Sequence, residues 1–197
     1  MRPLYRRLVS VFVVVLILVG GYTLFRLIDS IQGGVPQEFS DARAQGGVIS
    51  EKIVSDTNDV AAAIMRLSGT STPTRADASS TIGEILDKVT ETRALAIDLS
   101  SELGKMSQAL PGIRVPDARD AAVESISQRL ALVSDLISYT EEVTRLAAAL
   151  RLHLEQGTSN RQAIAALIEQ INSQITAINN LNRTANESMD RFDAALR

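Results

Sequence analysis

Residues 81–110 read TIGEILDKVTETRALAIDLSSELGKMSQAL, and the spacing of their apolar positions decides the fold. Ile82, Ile85, Val89, Thr92, Ala96, Leu99, Leu103, Met106 and Leu110 follow one another at gaps of 3,4,3,4,3,4,3,4. A strand sends successive side chains to opposite faces, so it cannot hold such a stripe, whereas a helix keeps all of these positions on one side. Sustained over four heptads the pattern is a seam, and a seam needs a neighbouring helix to cover it.

Neighbours are present on both sides. Downstream, Ile164, Leu167, Ile171, Ile175, Ile178, Leu181, Ala185, Met189, Phe192 and Leu196 keep gaps of three and four throughout. Between them lies a broader stripe: Val123, Ile126, Leu130 and Val133, then Leu136 or Ile137, Tyr139 or Thr140, Val143, Leu146 or Ala147, Leu150 and Leu154. Upstream, Ile53, Thr57, Val60, Ile64 and Leu67 form a shorter seam. It is preceded by Gly46-Gly47, where each glycine costs about 1 kcal/mol relative to alanine and marks a bend or break.

Breaks at 68–79, 110–117 and 156–160 divide this part of the chain into helical segments 36–67, 80–110, 117–156 and 160–196. Ser159-Asn160-Arg161-Gln162 has the form of a capping box, Thr81 with Glu84 a weaker one, and Pro116-Asp117 with Asp120 and Glu124 puts acids in a first turn. On the helix surfaces Glu84 with Lys88, Glu141 with Arg145, Glu187 with Arg191 and Asp193 with Arg197 are acid-first i,i+4 pairs. No alternating run or hairpin dipeptide argues for strand. Short links force consecutive helices antiparallel. The expected fold is all-α: an antiparallel bundle of four helices, or three plus a stalk.

The N-terminus carries a different signal. Residues 1–7 hold Arg2, Arg6 and Arg7, and Leu8 to Phe25 contain no charge. With Arg26 snorkelling, 8–28 is long enough to cross the hydrocarbon core as a helix. The positive-inside rule then puts 1–7 in the cytoplasm as a short tail, 29–35 outside as a juxtamembrane linker, and 36–197 outside as the bundle. A cleaved signal peptide is the competing reading, but its apolar region is usually shorter, and Val19-Gly20-Gly21 is the only tolerable cleavage site. The partners expected are the lipid bilayer, through 8–28, and a protein partner or second copy of the chain.

Composition removes several classes of activity. The 197 residues include no cysteine and one histidine, which excludes disulfides, thiolate metal sites and a multi-histidine centre. From residue 30 onward 16 Lys+Arg stand against 22 Asp+Glu, so this part would repel a phosphate backbone, and no nucleic acid is expected. Seventeen arginines against three lysines suggest a GC-rich genome and a bacterium.

No phosphate loop, H-E-x-x-H or G-x-S-x-G motif occurs. His153 reads as a structural or surface histidine near a helix C-terminus, and Glu141-Glu142 as a solvated face. No catalytic, cofactor-binding or metal-ligating residue is assigned, and the chain is not expected to be an enzyme. Gln170 to Asn182 is uncharged for 13 residues, an ordinary polar face or, being cheap to desolvate, a partner surface. Asn182-Arg183-Thr184 and Asn186-Glu187-Ser188 match the glycosylation pattern, which is common by chance.

A short basic tail, one span and a long helical outer domain together resemble the front half of a bacterial chemoreceptor or sensor kinase. Such receptors are expected to return through a second span, and up to Arg197 no second apolar run occurs. The function expected is a membrane-anchored, extracytoplasmic, non-enzymatic scaffold or accessory interaction module. The alternative is a ligand-sensing bundle, which needs polar groups converging inside it.

Overall fold

The computed structural model describes residues 34–68, 74–156 and 161–197. They form four helices: α1 (Gln37–Ser68), α2 (Arg75–Ala109), α3 (Pro116–Gln156) and α4 (Arg161–Ala195). No strand occurs among the described residues. The tail 1–7, the span 8–28, the linker as far as residue 33 and the capping box begun by Ser159 lie outside the described residues. No helix among those described is long and apolar enough to cross a membrane.

The seam of α2 is buried along its length, from Ile82 at 0% exposure to Met106 at 3%, so it packs within the chain rather than against a second copy. α1 covers one side of it. Ile49, Ile53, Val60 and Ile64 of α1 are all buried, and this settles the choice between a packed helix and a stalk. Gly46-Gly47 does not break α1. A Cβ at Gly46 would lie 3.5 Å from Leu99 Cδ1, so the small residue sits where α1 passes α2 within ordinary contact distance.

α2 begins five residues before the expected start at residue 80. Thr74 is its N-cap, its hydroxyl accepting from the Asp77 amide at 3.2 Å. Thr81, expected to open the helix, is inside it and donates its hydroxyl to the Asp77 carbonyl at 2.9 Å. The helix ends in a single 3-10 turn, Leu110–Gly112, and Pro116 starts α3 at the position where a missing N–H costs nothing. Ile113 in the link is buried and plugs this end of the bundle.

Pairings across the helices fix their directions. Asp56 meets Lys88 while Arg66 meets Glu84, so α1 and α2 run antiparallel. Arg93 with Glu141, and Arg75 donating to the Glu155 carbonyl, set α3 antiparallel to α2. Glu124 with Arg191, and Glu142 with Gln170, set α4 antiparallel to α3. α4 therefore returns to the end where α1 starts. Phe39 and Phe192 meet there with ring centroids 5.2 Å apart.

The stripe of α3 differs from its expected course at the start. Val123 and Leu130 are 47% and 43% exposed, while Ala122, Ser125 and Ile126 face the core beside them. With α2 on one side and α4 on the other, the buried arc is wide, and the small residues near the start of α3 let the later turns of α4 approach closely, Ser125 reaching the Ala185 carbonyl.

Candidate functional site

The four surface pairs expected within helices are replaced by other pairings. Glu84 reaches Arg66, and Lys88 reaches Asp56 at 2.7 Å. Glu141 faces Arg93 at 3.8 Å, and Arg145 turns to Glu142 at 2.9 Å. Glu187 takes Arg183, Arg191 takes Glu124, and Asp193 takes Arg43. Most of these partners sit on a neighbouring helix. The charges therefore clamp the bundle together rather than merely decorating its helices.

Three polar groups enter the interior. The first is Asp56, whose side chain is fully covered between α1 and α2. Lys52 and Lys88 both donate to it, at 2.9 and 2.7 Å, and Glu91 and Asp59 complete the network around the lysines. Burial pushes the Asp56 carboxyl up, but the two ammonium groups outweigh it and hold the carboxyl below its ordinary value. Lys88 is raised in turn by its hydrogen bond to Asp56, and Lys52 by those to Glu91 and Asp56. This group is saturated.

The second is Glu142, and it corrects the expectation of a solvated Glu141-Glu142 face. Glu141 is exposed, but Glu142 is 5% exposed, with Oε1 accepting from Gln170 Nε2 at 2.8 Å and Arg145 Nη1 at 2.9 Å. Its Oε2 has no hydrogen-bond partner, and the same is true of Asn172 Nδ2 and Gln174 Oε1. The uncharged stretch 170–182 is thus in part an inner surface. Ile168, Asn172, Ile175, Asn179, Asn182, Asn186, Met189 and Asp193 follow gaps of 4,3,4,3,4,3,4 on one face of α4. The Asp193 end of that face meets Arg43 of α1.

The third group lies where α1, α3 and α4 converge. Arg43 grips Asp193 with two parallel bonds of 2.7 and 2.8 Å, and its guanidinium lies 5.6 Å above the Phe192 ring. Beside it is Arg129, which enters from α3. Arg129 Nη2 donates to Asn186 Oδ1 at 2.9 Å, and Nε reaches Ser125 Oγ at 3.5 Å. Ser125 is fully buried and donates its own hydroxyl to the Ala185 carbonyl at 2.9 Å. Among the described residues no carboxylate lies within 4.0 Å of Arg129. Burial, and then the neighbouring Arg43 charge, push its guanidinium down to about 10.

Sequence reasoning missed Arg129 and Arg43 because arginine is ordinarily placed on the surface. The spacing did contain a signal, since Arg129 falls between Ile126 and Val133 on the buried stripe of α3. His153 is in the last turn of α3 and half-buried, away from this junction. Of the two glycosylation-pattern asparagines, Asn186 is committed to Arg129. No group of three or more His, Asp or Glu residues that could hold a metal ion occurs among the described residues.

Outside the interior one apolar feature stands out. Val123, Ser127, Leu130 and Ser134 form an exposed, uncharged stripe on α3 at gaps of 4,3,4. Two turns beyond Ser134 on α3, Glu141 pairs with Arg93 of α2. Ile97, one turn from Arg93 on α2, is 57% exposed. Gly104, two turns further along α2, would meet nothing within 4 Å if it carried a Cβ.

No protein-family model, curated protein or solved structure matches this chain.

Proposed function

We propose that this chain is a membrane-anchored, non-enzymatic interaction module. Residues 8–28 are its anchor, and the four-helix bundle, displayed outside the cytoplasmic membrane of a bacterium, is its working part. The observation that carries the reading is the exposed, uncharged stripe of Val123, Ser127, Leu130 and Ser134 on α3, with exposed Ile97 on α2, which the Arg93–Glu141 pair joins to α3. Scattered exposed apolar residues are normal, but an ordered stripe free of charge is the composition of a contact surface. The geometry also suits an anchor, since α1 begins at the same end of the bundle as α4 finishes. Both ends of the bundle chain then lie on the bilayer side.

Two measurements test this. Protease added to right-side-out vesicles should digest the bundle and spare a tag placed before Arg2, and protection of the C-terminal part would overturn the orientation. Crosslinking from membranes through a photoreactive residue at Ser127 should trap a protein partner, and Leu130→Glu should abolish the adduct without lowering the melting temperature. An adduct that survives Leu130→Glu sinks the stripe as the contact surface.

A second reading has a specific observation in its favour. A small molecule binding between the helices needs interior polar groups, and Arg129 is an interior cation without an acidic partner among the described residues.

A further inference from the structure

We propose that the junction of α1, α3 and α4 is a binding site for a singly charged carboxylate, with Arg129 as the residue that holds it. The proposal deepens the ligand-binding reading and does not depend on the contact surface between α2 and α3.

The charges at the junction do not balance. Arg43 and Asp193 neutralise each other through their two-pronged pair, and among the described residues Arg129 is left with a whole positive charge. Its two acceptors among the described residues, an amide oxygen and a hydroxyl, are neutral. Partly desolvating a guanidinium against neutral partners, beside a second arginine, is unfavourable, and a protein built only for stability would have an apolar side chain or a carboxylate there. The Asp56 network shows that this chain does supply counter-charges elsewhere.

The free valences have the right chemistry. A guanidinium carries five N–H groups, of which the structure occupies two, one on Nε and one on Nη2. Those that remain present a planar, paired edge of the kind that matches a carboxylate. Asn186 accepts from Arg129 through Oδ1, so its amide NH2 is turned toward other acceptors, and it has none among the described residues. One carboxylate oxygen can take the arginine edge and the other the Asn186 amide.

A single negative charge closes the balance. A phosphate dianion would exceed it and would leave a buried negative charge in place of the positive one. Access does not require the helices to part, because Arg129 and Asn186 are half-buried rather than sealed.

The test uses the full chain in detergent micelles, with sodium acetate as the probe and sodium chloride and sodium phosphate at matched ionic strength and pH. Acetate should raise the melting temperature saturably above the chloride control. In arginine labelled with nitrogen-15, acetate should also move one Nε–H resonance, assigned to Arg129 by its disappearance in Arg129→Met. Without acetate, Arg129→Met should melt at or above the wild type, because it removes a desolvated charge, and it should lose the acetate response. If that variant fails to fold, the wild-type titration decides alone. Equal effects of acetate and chloride on both readouts would overturn the proposal, as would a response to phosphate only. An Arg129→Met variant that melts lower and keeps its acetate response would make Arg129 a structural residue. Because no membrane partner is present, failure here is distinguishable from failure of the contact surface.

Discussion

Two interior charges in this bundle meet opposite fates. Asp56, between α1 and α2, is fully covered and receives bonds from two lysines, whose outer faces stay in water. Arg129, where α1, α3 and α4 converge, is met by an asparagine, a serine and the field of another arginine. Asp56 is the more deeply covered of the two, so burial alone cannot explain why it is Arg129 whose charged form is disfavoured. Compensation does. At Asp56 the added bonds reverse the effect of desolvation and favour the charged form, whereas at Arg129 desolvation goes unopposed and disfavours it. A compensated buried charge clamps two helices, and an uncompensated one leaves an open valence.

The comparison breaks most severely if the apolar floor of the Arg129 junction is removed. Phe192 is 2% exposed, packs on Phe39 and underlies the Arg43 guanidinium. Phe192→Ala should cost about 3–5 kcal/mol through lost transfer energy and the cavity left behind. A chemical-denaturation midpoint measured at two protein concentrations checks this, and the loss should be the same at both because the core is contained within one chain. The Asp56 network, on the other side of α1, should keep its own signature in the destabilised protein.

That signature is a pH dependence, and its sign follows from the lowered Asp56 pKa. A carboxyl whose folded pKa lies below its unfolded value contributes stability above the ordinary value of 3.8, and this is lost as pH falls through the folded value. Acid titration of the melting temperature should therefore show a limb below about pH 4 that flattens in Asp56→Asn. An unchanged acid limb in that variant would mean that the lysines do not compensate Asp56. The alkaline side is less selective, because shifted groups of opposite sign titrate there, including Lys52 and Lys88, whose raised values withdraw stability as pH rises. Arg129, with its depressed pKa, makes the fold more stable as pH rises above about 10, while Tyr139, which burial pushes up, makes it less stable.

Much of the scaffold was legible in the sequence because α2 lies between two neighbours and has one unbroken seam. Every expected seam position from Ile82 to Met106 is buried. The α3 stripe was less legible. Val123 and Leu130 look like core residues by type and spacing, but the inward positions beside them are held by Ala122 and Ser125, and hydrophobicity alone picks the wrong register. The charged pairs were misjudged for a physical reason. Within one helix an i,i+4 partner is visible from spacing, but the neighbouring helix, which supplies Glu84 for Arg66 and Asp193 for Arg43, is not. Arg129 was hidden by the same limit, since its place in the core depends on what α4 offers opposite it.

The smallest expected effect lies between the two charged regions, on the helix they share. α1 carries Arg43 one turn before Gly46 and Asp56 about three turns after it, and the glycine pair raises the question whether the two regions are mechanically joined. Gly46 is helical, and an added Cβ would meet Leu99 Cδ1 at 3.5 Å, an ordinary contact. Relief of glycine's entropic cost should then outweigh packing strain, so Gly46→Ala should stabilise the protein by about 1 kcal/mol, read from chemical denaturation. Amide hydrogen exchange over residues 43–50 should slow with it. If the variant is instead less stable and the carboxylate response at Arg129 weakens, α1 needs freedom to bend at Gly46. The glycine would then act as a joint between the clamp at Asp56 and the open valence at Arg129. If stability rises and the response is unchanged, α1 is one rigid rod and the two interior charges act independently.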